Sequence, residues 1–67
     1  VSTRNLFEGL VIEVIKDKVM SQVVMQCGRY RVVSLISTEA VNELGLEPGV
    51  VASAQVKATN VSIVMKD

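Results

Sequence analysis

Short runs rich in valine and isoleucine constrain the fold of this chain more than any other feature of its sequence. β-Branched residues favour extended backbone, and alternation of apolar with other residues is typical of a strand that buries one face. Turn-forming residues separate the runs, notably Gly28 and the segment 47–49. The pattern predicts five β-strands, at residues 6–15, 19–27, 29–36, 50–57 and 60–66.

The phase of each alternation predicts which side chains share a face of the sheet. In the first strand, Val11 and Val14 are expected on opposite faces, because they are three positions apart and side chains alternate at each position. In the second strand, Val19 is expected on the same face of the sheet as Val23, Met25 and Cys27. The other residues predicted to share a face within their strands are Val23, Met25 and Cys27 in the second, Val50, Ala52, Ala54 and Val56 in the fourth, and Val61, Ile63 and Met65 in the fifth.

The alternation stops after the third run, where the sequence favours a short helix. Ser37 is a suitable N-cap, Glu39 places a negative charge in the first turn, and Gly45 is a suitable stop. A β-turn at Glu47–Gly49 follows, with proline where its fixed φ helps. An all-β chain of five strands, with one short helix between the third and the fourth, is the layout of an OB-like Greek-key barrel.

The apolar content of the chain predicts self-association. Residues 1–67 have room for one domain, yet 49% of them are hydrophobic and only 21% are charged. A domain of this size buries only about 60% of the surface that its unfolded chain exposes. We therefore expect a homo-oligomer, which enlarges the core. No apolar run approaches the ~20 residues that a membrane-spanning helix needs, so we expect no membrane insertion.

The cellular location is predicted from the single cysteine and from the N-terminus. Cys27 has no partner for an internal disulfide, which suits a reducing cytoplasm. The first residues show no signal-peptide pattern. Because the chain begins at Val1 and not at Met, two origins stay open: a free-standing protein, or a domain from a longer one.

Several classes of function have little support in the sequence. The chain has no histidine and its acids are scattered, so we expect no catalysis, no cofactor and no site for a metal cation. Binding to single-stranded nucleic acid relies on stacked aromatic residues in a basic groove. Only Phe7 and Tyr30 are aromatic and the net charge is zero. We interpret the segment 29–31, Arg-Tyr-Arg, as a solvent-facing hairpin edge and expect no nucleic-acid partner.

Three segments in order resemble the motifs of the Mop family of TOBE-type domains. Residues 2–5 read S-T-R-N where the family has S-A-R-N. Residues 36–46 read I-S-T-E-A-V-N-E-L-G-L and are similar to I-[ST]-x-x-S-V-x-x-L-G-L. Residues 57–59 read K-A-T and are similar to K-A-[ST]. The resemblance extends over the whole chain, which we therefore interpret as a single Mop domain.

This resemblance implies a function that the composition alone does not. Mop domains are OB-like barrels that bind molybdate or tungstate as oxyanions between subunits. Free-standing members, the molbindins, are hexamers described as trimers of dimers. The implied function is reversible binding of molybdate for intracellular storage, buffering or delivery. The resemblance also leaves open a ligand-sensing domain cut from a molybdate-responsive regulator or from a molybdate transporter ATPase.

The resemblance also implies a set of oxyanion ligands. Arg4 and Lys57 match the charged ligands of the family, and Ser2 and Ser37 match its hydroxyl ligands. Two positions depart from the family, because Thr3 replaces an alanine and Ala40 stands where many members have a serine ligand. The complete set of predicted ligands is Ser2, Thr3, Arg4, Ser37, Lys57, Ala58 through its backbone N–H, and Thr59 through its hydroxyl.

The chemistry of these residues fits an oxyanion, although each has an ordinary alternative. A tetrahedral dianion offers only acceptors, so its site needs donors and positive charge without a carboxylate. Ser37 is equally expected simply to cap its helix. Lys57 alone resembles a solvated strand-end charge, and Arg4 alone resembles a disordered terminus. Two other kinds of protein stay open: a nucleic-acid binder, whose affinity falls steeply with salt, and a purely structural oligomerisation module.

Overall fold

The computed structural model describes residues 3–66, which form one curled antiparallel sheet and one short helix. The strand order in the sheet is β3-β2-β1-β4, so β3 and β4 are its two edges. No helix within residues 3–66 is long and apolar enough to cross a membrane. The elements are β1 Arg4–Lys16, β2 Met20–Cys27, β3 Tyr30–Ser37, α1 Thr38–Leu44, β4 Val51–Lys57 and a single 3-10 turn Ala58–Asn60.

The long first strand holds the sheet together, because it pairs with two different strands. Its N-terminal part, from Arg4 to Leu10, pairs with β4, and its C-terminal part, from Leu10 to Lys16, pairs with β2. Gly9 lies where the backbone of β1 packs directly against the end of β2. A Cβ atom at Gly9 would come within 2.6 Å of the Cys27 Sγ atom and 2.9 Å of its Cα atom. Only glycine fits this crossing without displacing backbone.

A β-bulge in β1 changes the predicted pattern of inward side chains. The register shifts between Val11, which pairs with Met25, and Glu13, which pairs with Val24. The extra residue reverses the alternation. Val11 is therefore fully buried while Val14, three residues later, is half-buried against the same core. The expectation that Val11 and Val14 face opposite sides was wrong, because alternation in sequence does not reveal a bulge.

The core lies between the concave face of the sheet and the helix. Val11, Val23, Met25 and Cys27 come from β1 and β2, and α1 contributes the fully buried Val41. The prediction that Val19 points inward was wrong, because this residue is 74% exposed. β2 begins only at Met20, and Ser21 takes the first buried position of the strand.

The predicted helix and turn are confirmed, and their caps explain where they begin and end. The Ser37 Oγ atom accepts a hydrogen bond from the Ala40 N–H (3.1 Å), and Gly45 adopts a φ of 66° after the last helical residue. The Val50 N–H donates to the Glu47 carbonyl (3.1 Å) and closes the turn.

Hydrogen bonds fix this turn to the bulged part of β1. The Gly49 N–H donates to the Val11 carbonyl (2.9 Å), and the Val11 N–H donates to the Val50 carbonyl (2.8 Å). The entry of β4 is therefore tied to the residue at which the register of β1 shifts.

The prediction of a fifth strand was wrong for the single chain, because residues 3–66 form four strands. Residues 61–66 belong to no strand. Ile63, Val64 and Met65 are 89%, 84% and 89% exposed. A strand requires a hydrogen-bonded partner in addition to a suitable pattern, and this segment leaves β4 through the Ala58–Asn60 turn without reaching one.

Replacing Gly9 with alanine tests the close crossing of β1 and β2. We expect Gly9→Ala to lower the free energy of unfolding by about 1–3 kcal/mol, because the new methyl group overpacks against Cys27 and the Gln26 carbonyl. The measurement is urea unfolding at one fixed protein concentration. The control is Ser53→Ala on the exposed face of β4, which we expect to stay within about 0.5 kcal/mol of the parent. A Gly9→Ala variant as stable as the parent would contradict the crossing.

Candidate functional site

Two predicted ligands lie directly opposite each other at one end of the sheet. Arg4 on β1 and Lys57 on β4 are partners in the antiparallel ladder. The next rung is closed by a hydrogen bond from the Ala58 N–H to the Thr3 carbonyl (2.9 Å). Hydrogen-bonded and non-hydrogen-bonded pairs alternate along such a ladder, so Arg4 and Lys57 form a non-hydrogen-bonded pair, whose side chains project closer together. The two cations therefore share one face at short range.

This pair of cations is exposed on the convex face of the sheet. Within residues 3–66 the structure has one ion pair, between Arg31 and Glu13 (3.9 Å). Among these residues, neither Arg4 nor Lys57 has a carboxylate partner. Glu8 lies on the same face of β1 but is separated from Arg4 by three rungs of the ladder. Like charges directly opposite each other destabilise a strand pair. An anion that binds both cations would relieve this repulsion.

Three further predicted ligands border the cation pair. Thr3 precedes β1, and Ala58 and Thr59 form the 3-10 turn that follows β4. The Ala58 N–H already donates to the Thr3 carbonyl, so it closes the ladder beside the cations. The side chain of Thr59 is exposed on this turn. Ser2, the remaining ligand predicted near Arg4, lies outside the described residues.

Ser37 is not brought near these residues within one chain. It ends β3 and pairs with Met20 on β2, next to the rung that joins Ser21 to Lys16 at the far end of β1. Arg4 begins this same 13-residue strand. The predicted ligands therefore form two groups at opposite ends of β1: a charged group around Arg4 and Lys57, and Ser37 at the start of the helix.

The first turn of α1 explains what Ser37 can still offer. Its Oγ atom accepts from the Ala40 N–H, so the ordinary role as a helix cap is present. A hydroxyl that accepts one hydrogen bond keeps its own proton for donation. Ser37 is exposed, and this proton could therefore reach a ligand from outside. Ala40, to which this cap is bonded, supplies no side-chain donor.

Thr38, which was not among the residues predicted from the sequence, anchors the start of the helix. The Thr38 hydroxyl donates to the Asp17 carbonyl and lies 2.7 Å from the Ser21 Oγ atom, while its N–H donates to the Val19 carbonyl (2.8 Å). These bonds fix the start of the helix to the turn between β1 and β2. Two consecutive hydroxyl residues at the start of a helix were the available signal, because one can cap while the other anchors.

The described residues give little indication of other chemistry. Cys27 is buried, and its thiol points at the Phe7 carbonyl (3.5 Å). No group of three or more His, Cys, Asp or Glu residues within 3–66 could hold a metal ion. At the hairpin tip, the guanidinium of Arg29 lies 5.7 Å from the centre of the Tyr30 ring. The Tyr30 ring is therefore in cation–π contact with the neighbouring arginine of the same hairpin.

The cation pair borders an exposed apolar area. Leu6 and Val51, which lie on the same face of β1 and β4, are 65% and 67% exposed, and Leu10 is 41% exposed. Large apolar side chains grouped on a surface mark a contact region. The charged group of predicted ligands therefore lies beside a surface suited to another protein chain.

Comparison with known proteins connects this arrangement to a family. A model of the TOBE domain family matches residues 1–63. Molybdenum-pterin-binding protein 2 from Clostridium pasteurianum is 38% identical to the chain over 64 residues, and molybdenum-pterin-binding protein 3 from the same organism is 36% identical. Each alignment covers 94% of this chain and 94% of the relative.

Two solved structures share the fold over nearly their full length. MopII from Clostridium pasteurianum has a TM-score of 0.89 and 36% identity, over 97% of this chain and 98% of that one. A molybdate binding protein from Sporomusa ovata has a TM-score of 0.91 and 35% identity, over 97% of each chain. The curled sheet that positions the cation pair is therefore common to these proteins.

Two substitutions at Ser37 separate its role as a cap from any role toward an anion. Ser37→Ala removes the acceptor for the Ala40 N–H, and we expect it to lower the free energy of unfolding by about 0.5–2 kcal/mol. Ser37→Asp keeps an acceptor and places a negative charge at the start of α1, so we expect stability close to that of the parent. Thermal and urea unfolding measure both effects. No loss of stability in Ser37→Ala, or equal losses in the two variants, would show that the hydrogen bond to the Ala40 N–H does not stabilise the helix.

Proposed function

The chain belongs to the TOBE domain family, and on that premise we propose that it binds the molybdate oxyanion reversibly, with Arg4 and Lys57 supplying the positive charge. The observation that carries this proposal is their direct pairing across β1 and β4, with no carboxylate partner among residues 3–66. Tungstate has the same charge and shape and is an alternative ligand. The function we infer is storage, buffering or delivery of the oxyanion without catalysis and without a cofactor.

The chemistry of the charged group fits a tetrahedral dianion. Arginine donates two parallel N–H bonds to an oxyanion, and lysine adds a compact charge with three donors. The hydroxyls of Thr59, Thr3 and Ser2 are the donors that we propose for the remaining oxygens. The Ala58 N–H is engaged with the Thr3 carbonyl, so direct donation from it to the anion requires exchange of that bond.

The separation of the ligands into two groups supports a site shared between chains. Ser37 lies at the opposite end of β1 from Arg4, so one chain does not present both groups to one small anion. We propose that Ser37 of a second copy completes the donor set. The apolar surface at Leu6 and Val51 supports such contacts. The assembly we propose is a homo-oligomer, specifically a hexamer built as a trimer of dimers.

Two finer features of this proposal concern the barrel and the location of the protein. We propose that the sheet closes into the five-stranded OB-like Greek-key barrel when a strand occupies the space between β3 and β4. The half-buried inward residues of both edges support this closure. We also propose a cytoplasmic location, which the buried Cys27, a cysteine without an internal disulfide partner, supports.

The decisive experiment is an anion titration of the parent protein. We expect molybdate and tungstate to bind with heat changes in calorimetry, while sulfate and phosphate serve as tests of selectivity. Native mass spectrometry of the same samples gives the oligomer mass and the number of anions bound. Equal indifference to all four anions would refute the proposed function.

Removing either cation tests the proposed ligands. We expect Arg4→Ala and Lys57→Ala each to raise the Kd for molybdate about 10- to 100-fold, because each loses a charge-assisted hydrogen bond of about 1.5–3 kcal/mol. Arg29→Ala is the control, since it removes an exposed arginine from the tip of the hairpin between β2 and β3, which carries no proposed ligand. We expect this control to bind like the parent. If all three variants bind alike, the anion is held elsewhere.

A further inference from the structure

The end of the sheet that carries the two cations is exposed to separation of its strands. β4 is an edge strand, so the sheet holds its last residues from one side, that of β1. Arg4 and Lys57 face each other there as a non-hydrogen-bonded pair, and like charges directly opposite each other push two strands apart. Strand ends also open more readily than strand centres. The spacing between the two cations therefore depends on the bonds immediately before and after them.

Hydrogen bonds bracket the cation pair on both sides. On the outer side, the Ala58 N–H donates to the Thr3 carbonyl (2.9 Å). On the inner side, the side-chain amide of Asn5 donates across the ladder to the Val56 carbonyl (3.3 Å). Asn5 and Val56 are ladder partners, and a carbonyl oxygen can accept both a backbone and a side-chain N–H. The rung beside the cations therefore has a side-chain bond in addition to its backbone pairing.

Asparagine is an unusual residue for this position of β1. Asn5 is half-buried, and its partner Val56 lines the apolar cleft between β3 and β4. The residues that follow on the same face of β1 are Phe7, Gly9 and Val11, none of them polar. Asparagine is depleted in strands, and a residue that conflicts with its local position often marks a functional site. The side-chain hydrogen bond is the observation that accounts for asparagine here.

Asn5 lies on the opposite face of the sheet from the cations. Arg4 and Lys57 project from the convex face, whereas the next rung, Asn5 and Val56, projects toward the cleft on the concave face. An anion held between the two cations is therefore out of reach of the Asn5 amide. An effect of Asn5 on such an anion must pass through the backbone ladder.

We propose that Asn5 is a positioning residue for the oxyanion site, because its amide holds the end of β4 at the spacing at which Arg4 and Lys57 reach one anion together. This inference rests on the proposed function and adds to it a residue that is not a ligand. In the anion-free protein, the bond from Asn5 to Val56 opposes the repulsion between the cations. The anion then meets two cations whose separation is already fixed, so less ordering accompanies binding.

The first test is calorimetric titration of Asn5→Ala with molybdate. Asparagine and alanine are both poor strand formers, so the substitution removes the bond with little change in backbone preference. We expect the Kd to rise about 3- to 10-fold, as for the loss of one neutral hydrogen bond. Gln26→Ala is the matched control, because the Gln26 side-chain amide also donates to a backbone carbonyl, that of Gly28 (2.9 Å), in the distant β2–β3 hairpin. We expect the control to bind like the parent.

Two results of this titration would overturn the proposal. One is a Kd for Asn5→Ala equal to that of the parent or of Gln26→Ala. The other is a raised Kd together with a changed oligomer mass, which native mass spectrometry of the same samples measures. That result would assign Asn5 to a contact between chains.

A double-mutant cycle with Lys57→Ala separates positioning from a purely structural role. If Asn5 acts by placing Lys57, its replacement has no further effect once the lysine is gone. We therefore expect Lys57→Ala, with and without Asn5→Ala, to bind molybdate within about 2-fold of each other. A purely structural role gives the same 3- to 10-fold loss in both backgrounds, and that outcome would refute positioning through the cation pair.

Amide hydrogen exchange tests the same bond without any oxyanion. The Ala58 N–H closes the rung beyond the cations, so its exchange rate reports how often the end of β4 opens. We expect this amide to exchange about 3- to 10-fold faster in Asn5→Ala than in the parent and in Gln26→Ala. Equal rates in the three proteins would contradict the proposal. Titration of the parent alone decides the proposed function, and comparison of the variants decides the role of Asn5, so the two failures are distinguishable.

Discussion

The pairing of one long strand with two partners is the constraint on which the rest of this structure depends. β1 binds β4 through its first half and β2 through its second half, so the sheet must curl where the partners change. Gly9 permits the close approach at this point, and the bulge before Glu13 keeps both Val11 and Val14 on the concave face. The core and the separation of the sheet's two ends both follow from this curl.

The same strand determines how the candidate site is divided. Arg4 and Lys57 are adjacent because β1 and β4 pair in this register, while Ser37 lies at the far end of β1. Two cations without a carboxylate form an incomplete anion site, since a dianion needs more donors than they provide. A binding function for this chain is therefore linked to its self-association. The proposed anion site and the proposed oligomer depend on the same geometry.

Much of the fold and part of the site could be predicted from local sequence. The strands β2, β3 and β4 lie within a residue of the predicted ranges, and the helix has the expected caps at Ser37 and Gly45. These elements depend on side-chain alternation and on residues with restricted backbone preferences, which act over a few positions. The ligand set around Arg4 and Lys57 came from resemblance to a family. The structure adds that the two residues are opposite each other.

The sequence by itself determined the strand runs, the helix and its caps, and the excess of apolar side chains over what 67 residues can bury. Only the tertiary structure decided the bulge that reverses the first alternation, the exposure of Val19, and the absence of a partner for residues 61–66. The physical reason is the distance along the chain over which each kind of interaction acts. Alternation and capping are local, whereas register, closure of a sheet and the choice of a strand's partner depend on residues distant in the chain.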